Sequence, residues 1–168
     1  VDILDNEIPN GPVASGGGIS AGDSHLILHH MNVRNNHAPT GGGGAALGGG
    51  PYYIYNSTFS GNSSLYGGCA ISGSVILSNL TITQNSALHG NADNCALSGG
   101  DLTIINSIIW GNTGDQYQIK ATGTLNISHT NISGGANSIN PINESDAFNL
   151  GEGNVDIDPL FVDADSGD

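Results

Sequence analysis

Lysine and arginine together occur twice in 168 residues, against fifteen aspartates and glutamates, which leaves a formal net charge of −13. Without a basic surface to displace counterions from phosphates, the chain is not expected to bind nucleic acid. An anionic membrane surface is excluded on the same ground. No apolar run approaches the roughly 20 residues of a membrane span, so membrane insertion is not expected either. Helix formers are scarce, and glycine interrupts every window of about 25 residues, which argues against a helical domain. No secretory leader is visible. The chain opens on Val1-Asp2-Ile3-Leu4, as a mature or excised segment of a longer secreted precursor would.

What is abundant is equally telling. Glycine, asparagine and serine supply 65 of the 168 residues, a share that suits turns and loops. Yet 37% of residues are hydrophobic and isoleucine alone occurs 18 times, too much apolar content for a disordered chain. The length suffices for one domain with a core of its own.

The sequence repeats itself. An apolar-x-apolar-x-Asn-x-x-apolar-x-x-Asn pattern runs from Tyr52 to Asn62, from Val75 to Asn85 and from Leu102 to Asn112. Weaker copies run from Val1 to Gly11, Leu26 to Asn36 and Leu125 to Gly135. Aligned on the polar pivot, the copies place Asp5, His30, Asn56, Asn79, Asn106 and His129 in one column. Two residues earlier stand Ile3, Leu28, Ile54, Leu77, Ile104 and Ile127, and three residues later Ile8, Val33, Phe59, Ile82, Ile109 and Ile132. Alternation before the pivot predicts a strand with one buried face, and the residue three later predicts a second short strand. Another column, Ile19, Leu47, Ile71, Leu97 and Ile119, follows a glycine-rich loop in each copy. Strands that meet their equivalents one period later in the same direction must pair in parallel, which predicts an all-β parallel solenoid.

At these residues the sequence resembles the right-handed parallel β-helix family, the pectate-lyase-like solenoids, in its secreted bacterial form with an asparagine ladder. The resemblance implies about six to seven coils with glycine-rich loops. It also implies a ladder of stacked, buried amides at Asn56, Asn79 and Asn106, with Asp5, His30 and His129 substituted in the outer coils. The stretch Gly153–Asp163 resembles the segment that ends the repeat in such proteins. Residues 1–138 are therefore expected to form the coils, and residues 139–168 an irregular C-terminal segment that caps the same domain.

Catalytic signals are weak. Uronate elimination calls for a strong base, but Arg34 and Lys120 fall in different columns on distant coils. Glycoside hydrolysis needs clustered carboxylates, whereas the repeat core offers only Asp93, Asp101 and Asp115, at different heights. No catalytic residue, cofactor or metal is expected. Asp163, Asp165 and Asp168 form a partial match to a calcium loop, with a surface turn the better reading. His29 and His30 are adjacent, so in a strand they should face opposite ways and not chelate together. Asn-x-Ser/Thr sites occur at Asn56, Asn62, Asn79, Asn126, Asn131 and Asn143. Burial is expected at the first and third of these, and exposure at the rest. Cys69 and Cys95 each stand two residues before a core column on adjacent coils. With strands about 4.8 Å apart, that spacing permits a disulfide, the alternative being two stacked thiols.

The outward positions beside the pivot carry an apolar and aromatic stripe where a solvated face should be polar: Leu4, Ile27, Tyr53, Tyr55, Ile76 and Ile105. Such a patch calls for a partner or for a cover by the same chain's tail. The expectation is a non-catalytic extracellular or cell-surface module, structural or adhesive, that self-associates into a filament or forms part of a surface rod. The uncapped strand at Val1 supports that expectation. The alternative is a carbohydrate-binding or carbohydrate-active module, with Tyr53, Tyr55, Tyr66 and Trp110 as sugar-stacking groups.

Overall fold

A computed structural model gives the architecture for residues 1–8, 15–22, 25–66, 68–88, 95–114, 117–141 and 148–162, to which the description is confined. The chain winds into an all-β parallel solenoid of about five turns, fewer than the six to seven coils expected. Every strand pairing among the described residues is parallel, as coil-on-coil stacking requires.

Each full coil crosses three faces. On the first, Ile19, Ala45, Ile71, Leu97, Ile119 and Ile139 stack in one column. Here the structure corrects the expected register: Ala45, not Leu47, lies opposite Ile71, and Leu47 pairs with Gly73. The slip is two residues, so it keeps the same face inward and leaves the hydrophobic pattern unchanged.

On the second face, Leu26, Tyr52, Val75, Leu102, Leu125 and Phe148 form one inward column. Two residues on, Leu28, Ile54, Leu77, Ile104, Ile127 and Leu150 form the next. Tyr52 is fully buried, and its hydroxyl donates to the carbonyl oxygen of Gly48 at 2.5 Å, which satisfies the one polar atom the ring brings inside. On the third face, Val33, Phe59, Ile82, Ile109 and Ile132 stack as expected. Apart from Phe148 and Leu150 of the last coil, which are exposed, these columns are one continuous core, with Phe59, Leu77, Ile82, Leu97, Ile104 and Ile109 wholly removed from solvent. A buried side chain of this size contributes about 1.5–3 kcal/mol.

The first copy of the repeat is out of register with the sequence reading. The strand Asp2–Leu4 pairs with Asn32–Arg34, so Ile3 stacks on Val33 in the third-face column where the repeat predicts Ile8. Asp5 accordingly lies over Asn35, not His30, and its side chain accepts from the Asn35 amide at 3.1 Å. Val1 and Ile3 alternate equally well against either column, and backbone pairing decides between them: Asp5 N–H donates to the Arg34 carbonyl at 3.1 Å.

Among the described residues, two recurrent corners are built on left-handed backbone. The first holds His30, Asn56, Asn79, Asn106 and His129, all at φ between 51° and 57°. The second holds Asp5, Asn35, Gly61, Gln84, Gly111 and Gly134, again with positive φ. Short polar side chains and glycine are the residues that adopt this conformation at least cost.

Past the second corner lies the buried asparagine ladder, in a different column from the one expected. Asn36, Asn62, Asn85 and Asn112 are buried, whereas Asn56, Asn79 and Asn106 are exposed. In each rung, the backbone N–H and the side-chain amide of one asparagine donate to the same Oδ1 of the next. The amide–Oδ1 distances are 3.0, 2.9 and 2.8 Å along Asn36, Asn62, Asn85 and Asn112. The same amides also reach carbonyls of the preceding coil at Ile3, Val33, Phe59 and Ile82. Asn6 adds a rung at one end, donating to Asn36 at 2.8 Å, and Gln118 accepts from Asn112 at 3.1 Å at the other. In the expected column one link survives, between the exposed amides of Asn79 and Asn56 at 3.0 Å.

The position after the first corner mixes hydroxyls at Ser57, Ser107 and Thr130 with apolar side chains at Met31 and Leu80. Ser57 and Ser107 accept from the backbone N–H of Met31 and Leu80 on the preceding coils, and Ser57, Ser107 and Thr130 donate to Tyr55, Ile105 and Ser128. The segment after residue 138 was expected to be irregular. Instead, Ile139–Pro141 pairs with the first face, Phe148–Leu150 pairs with the second, and Val155 bridges to Asn131 on the third.

Candidate functional site

The outer surface of the second face carries the chemistry that the core does not explain. Its strands alternate, so the residues between the inward columns point out. One outward column reads Ile27, Tyr53, Ile76, Thr103, Asn126, and the other reads His29, Tyr55, Ser78, Ile105, Ser128. Ile27 is 63% exposed and Tyr53 40%, large values for an isoleucine and a tyrosine in regular strand. Tyr55, Ile76 and Ile105 are half-buried. The patch is continuous over Ile27, Tyr53 and Ile76 and becomes polar toward Asn126. Leu4, expected in this stripe, is 43% exposed but lies opposite Arg34 on the third face, a consequence of the register of the first strand.

At the edge of this patch, two histidines and a tyrosine cluster. His29 closes the strand Leu26–His29, and His30 takes the left-handed corner at φ 53°. The corner breaks the strand's alternation, so both imidazoles lie outside and meet. Their Nδ1 atoms are 2.7 Å apart. The expectation that these two rings face opposite ways is thereby overturned, because it held only while both residues were extended. The His29 ring stacks on Tyr55 with centroids 5.1 Å apart and planes 9° from parallel, and His30 meets His29 edge-on at 5.0 Å.

The remaining sequence candidates are dispersed. Tyr53 and Tyr55 share the outward second face, but Trp110 lies on the third, opposite Thr83, and Tyr66 lies in the turn beyond Ser63–Ser64. The four aromatics thus do not form one sugar platform. Asp101 accepts from the Thr124 N–H of the next coil at 2.7 Å, a turn-capping role, while Asp93 and Asp115 lie outside the described residues. Asp163, Asp165 and Asp168 also lie outside them. Among the described residues, no group of three or more His, Cys, Asp or Glu side chains is placed to hold a metal ion. Of Cys69 and Cys95 only the backbone is described: Cys95 lies opposite Gly68, one residue short of Cys69, with a register shift before Leu97 meets Ile71.

The glycosylation motifs change places with the ladder. Asn62 is buried with its amide bonded to Asn85 and Val33, whereas Asn56 and Asn79 are exposed at the corner. No family model, curated protein or solved structure matches the chain.

Proposed function

We propose that the protein is a non-catalytic structural or adhesive β-solenoid module, outside the cell or on its surface, that self-associates through the outward patch of its second face. The observation that carries this reading is the outward column Ile27, Tyr53, Ile76, apolar on three successive coils, exposed at Ile27 and Tyr53 and half-buried at Ile76, where a solvated sheet face should carry polar residues. A rod that repeats the same face along its length offers a partner a long, flat contact, and apolar surface of this kind favours burial. The net charge of −13 opposes self-association at low ionic strength. Near physiological salt, however, repulsion is screened beyond about 8 Å.

Sedimentation velocity across a salt series tests the reading. The expected result is association that strengthens with salt and is lost on Ile27→Lys with Tyr53→Ser. A monodisperse monomer at high concentration in every salt would overturn it.

A glycan partner is the second reading, favoured by Tyr53 and Tyr55 standing two residues apart on one outward face. Saturation-transfer NMR against neutral and acidic oligosaccharides separates it from the first, since contact at these two rings without self-association would select the glycan.

A further inference from the structure

We propose that His29 and His30 form a two-nitrogen binding site for a late first-row divalent cation of tetragonal preference, Cu²⁺ or Ni²⁺. The inference is independent of the self-association reading, because it concerns one corner of one coil.

The argument starts from the shared hydrogen bond. Two imidazole nitrogens 2.7 Å apart can bond only if one carries a proton on Nδ1 and the other presents its lone pair. The two nitrogens therefore face one another across a single proton. Once that proton moves to Nε2 of its own ring or to solvent, a small rotation of each ring turns both lone pairs onto one cation that prefers imidazole, lying to the side of the line between them. The spacing bears on which cation. With metal–nitrogen bonds of about 2.0–2.1 Å, two cis ligands of a square-planar ion lie about 2.9 Å apart, and two ligands of a tetrahedral ion about 3.3–3.4 Å apart. The observed 2.7 Å is a hydrogen-bond contact that must open for either ion, by about 0.2 Å to reach the tetragonal edge and about 0.6–0.7 Å to reach the tetrahedral one, so the smaller movement favours Cu²⁺ or Ni²⁺ over Zn²⁺. Opening the pair by a few tenths of an ångström needs only a small swing of two exposed rings.

The pair is held in advance of any ligand. Stacking on Tyr55 fixes the plane of His29, and the left-handed corner fixes the direction in which His30 leaves the chain. Both rings are exposed, so the other coordination positions open to water. The negative charge of the whole chain raises the local concentration of cations.

The repeat supplies controls that keep the fold. Asparagine takes the corner of His30 in three other coils, so His30→Asn removes the imidazole and retains the turn. Serine occupies the column of His29 at Ser78 and Ser128, so His29→Ser is matched in the same way. His129→Asn removes the corner histidine of another coil and leaves this pair intact.

The test titrates Cu²⁺ alone into the full 168-residue chain, following heat and the electron paramagnetic resonance of the bound ion. The expected result is one site per chain with two equatorial imidazole nitrogens. His30→Asn and His29→Ser should each weaken it by about tenfold or more, the loss that follows even from removing a group that merely supports a ligand. Each should also reduce the imidazole count by one, while His129→Asn should behave as the parent. Parent-like affinity in both His30→Asn and His29→Ser, or a spectrum with fewer than two imidazoles in the parent, would overturn the proposal. Should one variant fail to fold by circular dichroism, the other and the parent spectrum still decide.

Discussion

Asn62 donates both its backbone N–H and its side-chain amide to Oδ1 of Asn85, each at 2.9 Å, inside a turn from which solvent is excluded. Asn85 repeats the arrangement with Asn112, and the amide of each also reaches a carbonyl one coil back. The amide's donors and acceptor are thereby used where no water can replace them, which ties the stability of one coil to the next.

Removing that amide should therefore be costly. Asn85→Ala strands the N–H of Asn62 and one of its two amide protons and takes a donor from the Phe59 carbonyl, and buried groups left without partners cost about 1–3 kcal/mol each before relaxation. We expect a loss of about 2–4 kcal/mol in urea unfolding. Asn79→Gly, at the exposed corner with φ 57°, should stay within about 1 kcal/mol of the parent, because glycine adopts that backbone freely. Equal losses at the two positions would contradict the ladder assignment.

The same contrast should appear in exchange. Side-chain amide protons of Asn36, Asn62 and Asn85 are buried and bonded, while that of Asn106 is exposed. Protection tracks local opening, so NMR should show slow exchange for the first three amides and exchange at the free-amide rate for Asn106. Fast exchange at Asn62 would place the ladder elsewhere.

How far the fold was legible follows from these residues. Val33, Phe59, Ile82, Ile109 and Ile132 keep a fixed distance from the corner, so their column follows from spacing alone. The ladder was misplaced because two columns in each coil carry asparagine, one for its tolerance of positive φ and one for its amide. His30 and His129 were the available clue: an imidazole cannot continue a stack of amides but does accept a left-handed corner. The first strand was misread because Val1 and Ile3 alternate correctly on either face, and only the pairing of Asp2–Leu4 with Asn32–Arg34 resolves it. The meeting of His29 and His30 was hidden for a related reason. Strand alternation separates neighbours, and the sequence does not announce the residue at which alternation stops.

Ile104 lies at the centre of the second face with no solvent exposure, stacked between Leu77 and Ile127. Ile104→Asp would bury a carboxylate among aliphatic side chains, at a cost of several kcal/mol or through forced protonation. We expect loss of the cooperative β-sheet signal in circular dichroism at neutral pH. Ile104→Ala should remain folded, with a loss of about 2–5 kcal/mol from lost contact and the cavity left behind. Retention of parental stability by the aspartate variant would refute the core register.

Two glycines on consecutive coils should respond in opposite directions to the same substitution. Gly73 has φ 141° and stands opposite Leu47, and a Cβ there would run into the Leu47 carbonyl oxygen and side chain. Gly48, next to Leu47 in the strand Ala45–Ser60, has open space where its Cβ would go. Alanine at Gly48 removes conformational freedom from the unfolded chain without a steric cost and should stabilise by about 0.4–1 kcal/mol. Alanine at Gly73 must shift backbone between adjacent coils and abandon a conformation that side chains avoid, so its loss should exceed that gain. Thermal melts of the two variants against the parent make the comparison. A Gly73→Ala variant as stable as Gly48→Ala would mean that the first-face coils are not packed in the register that sets Leu47 against Gly73.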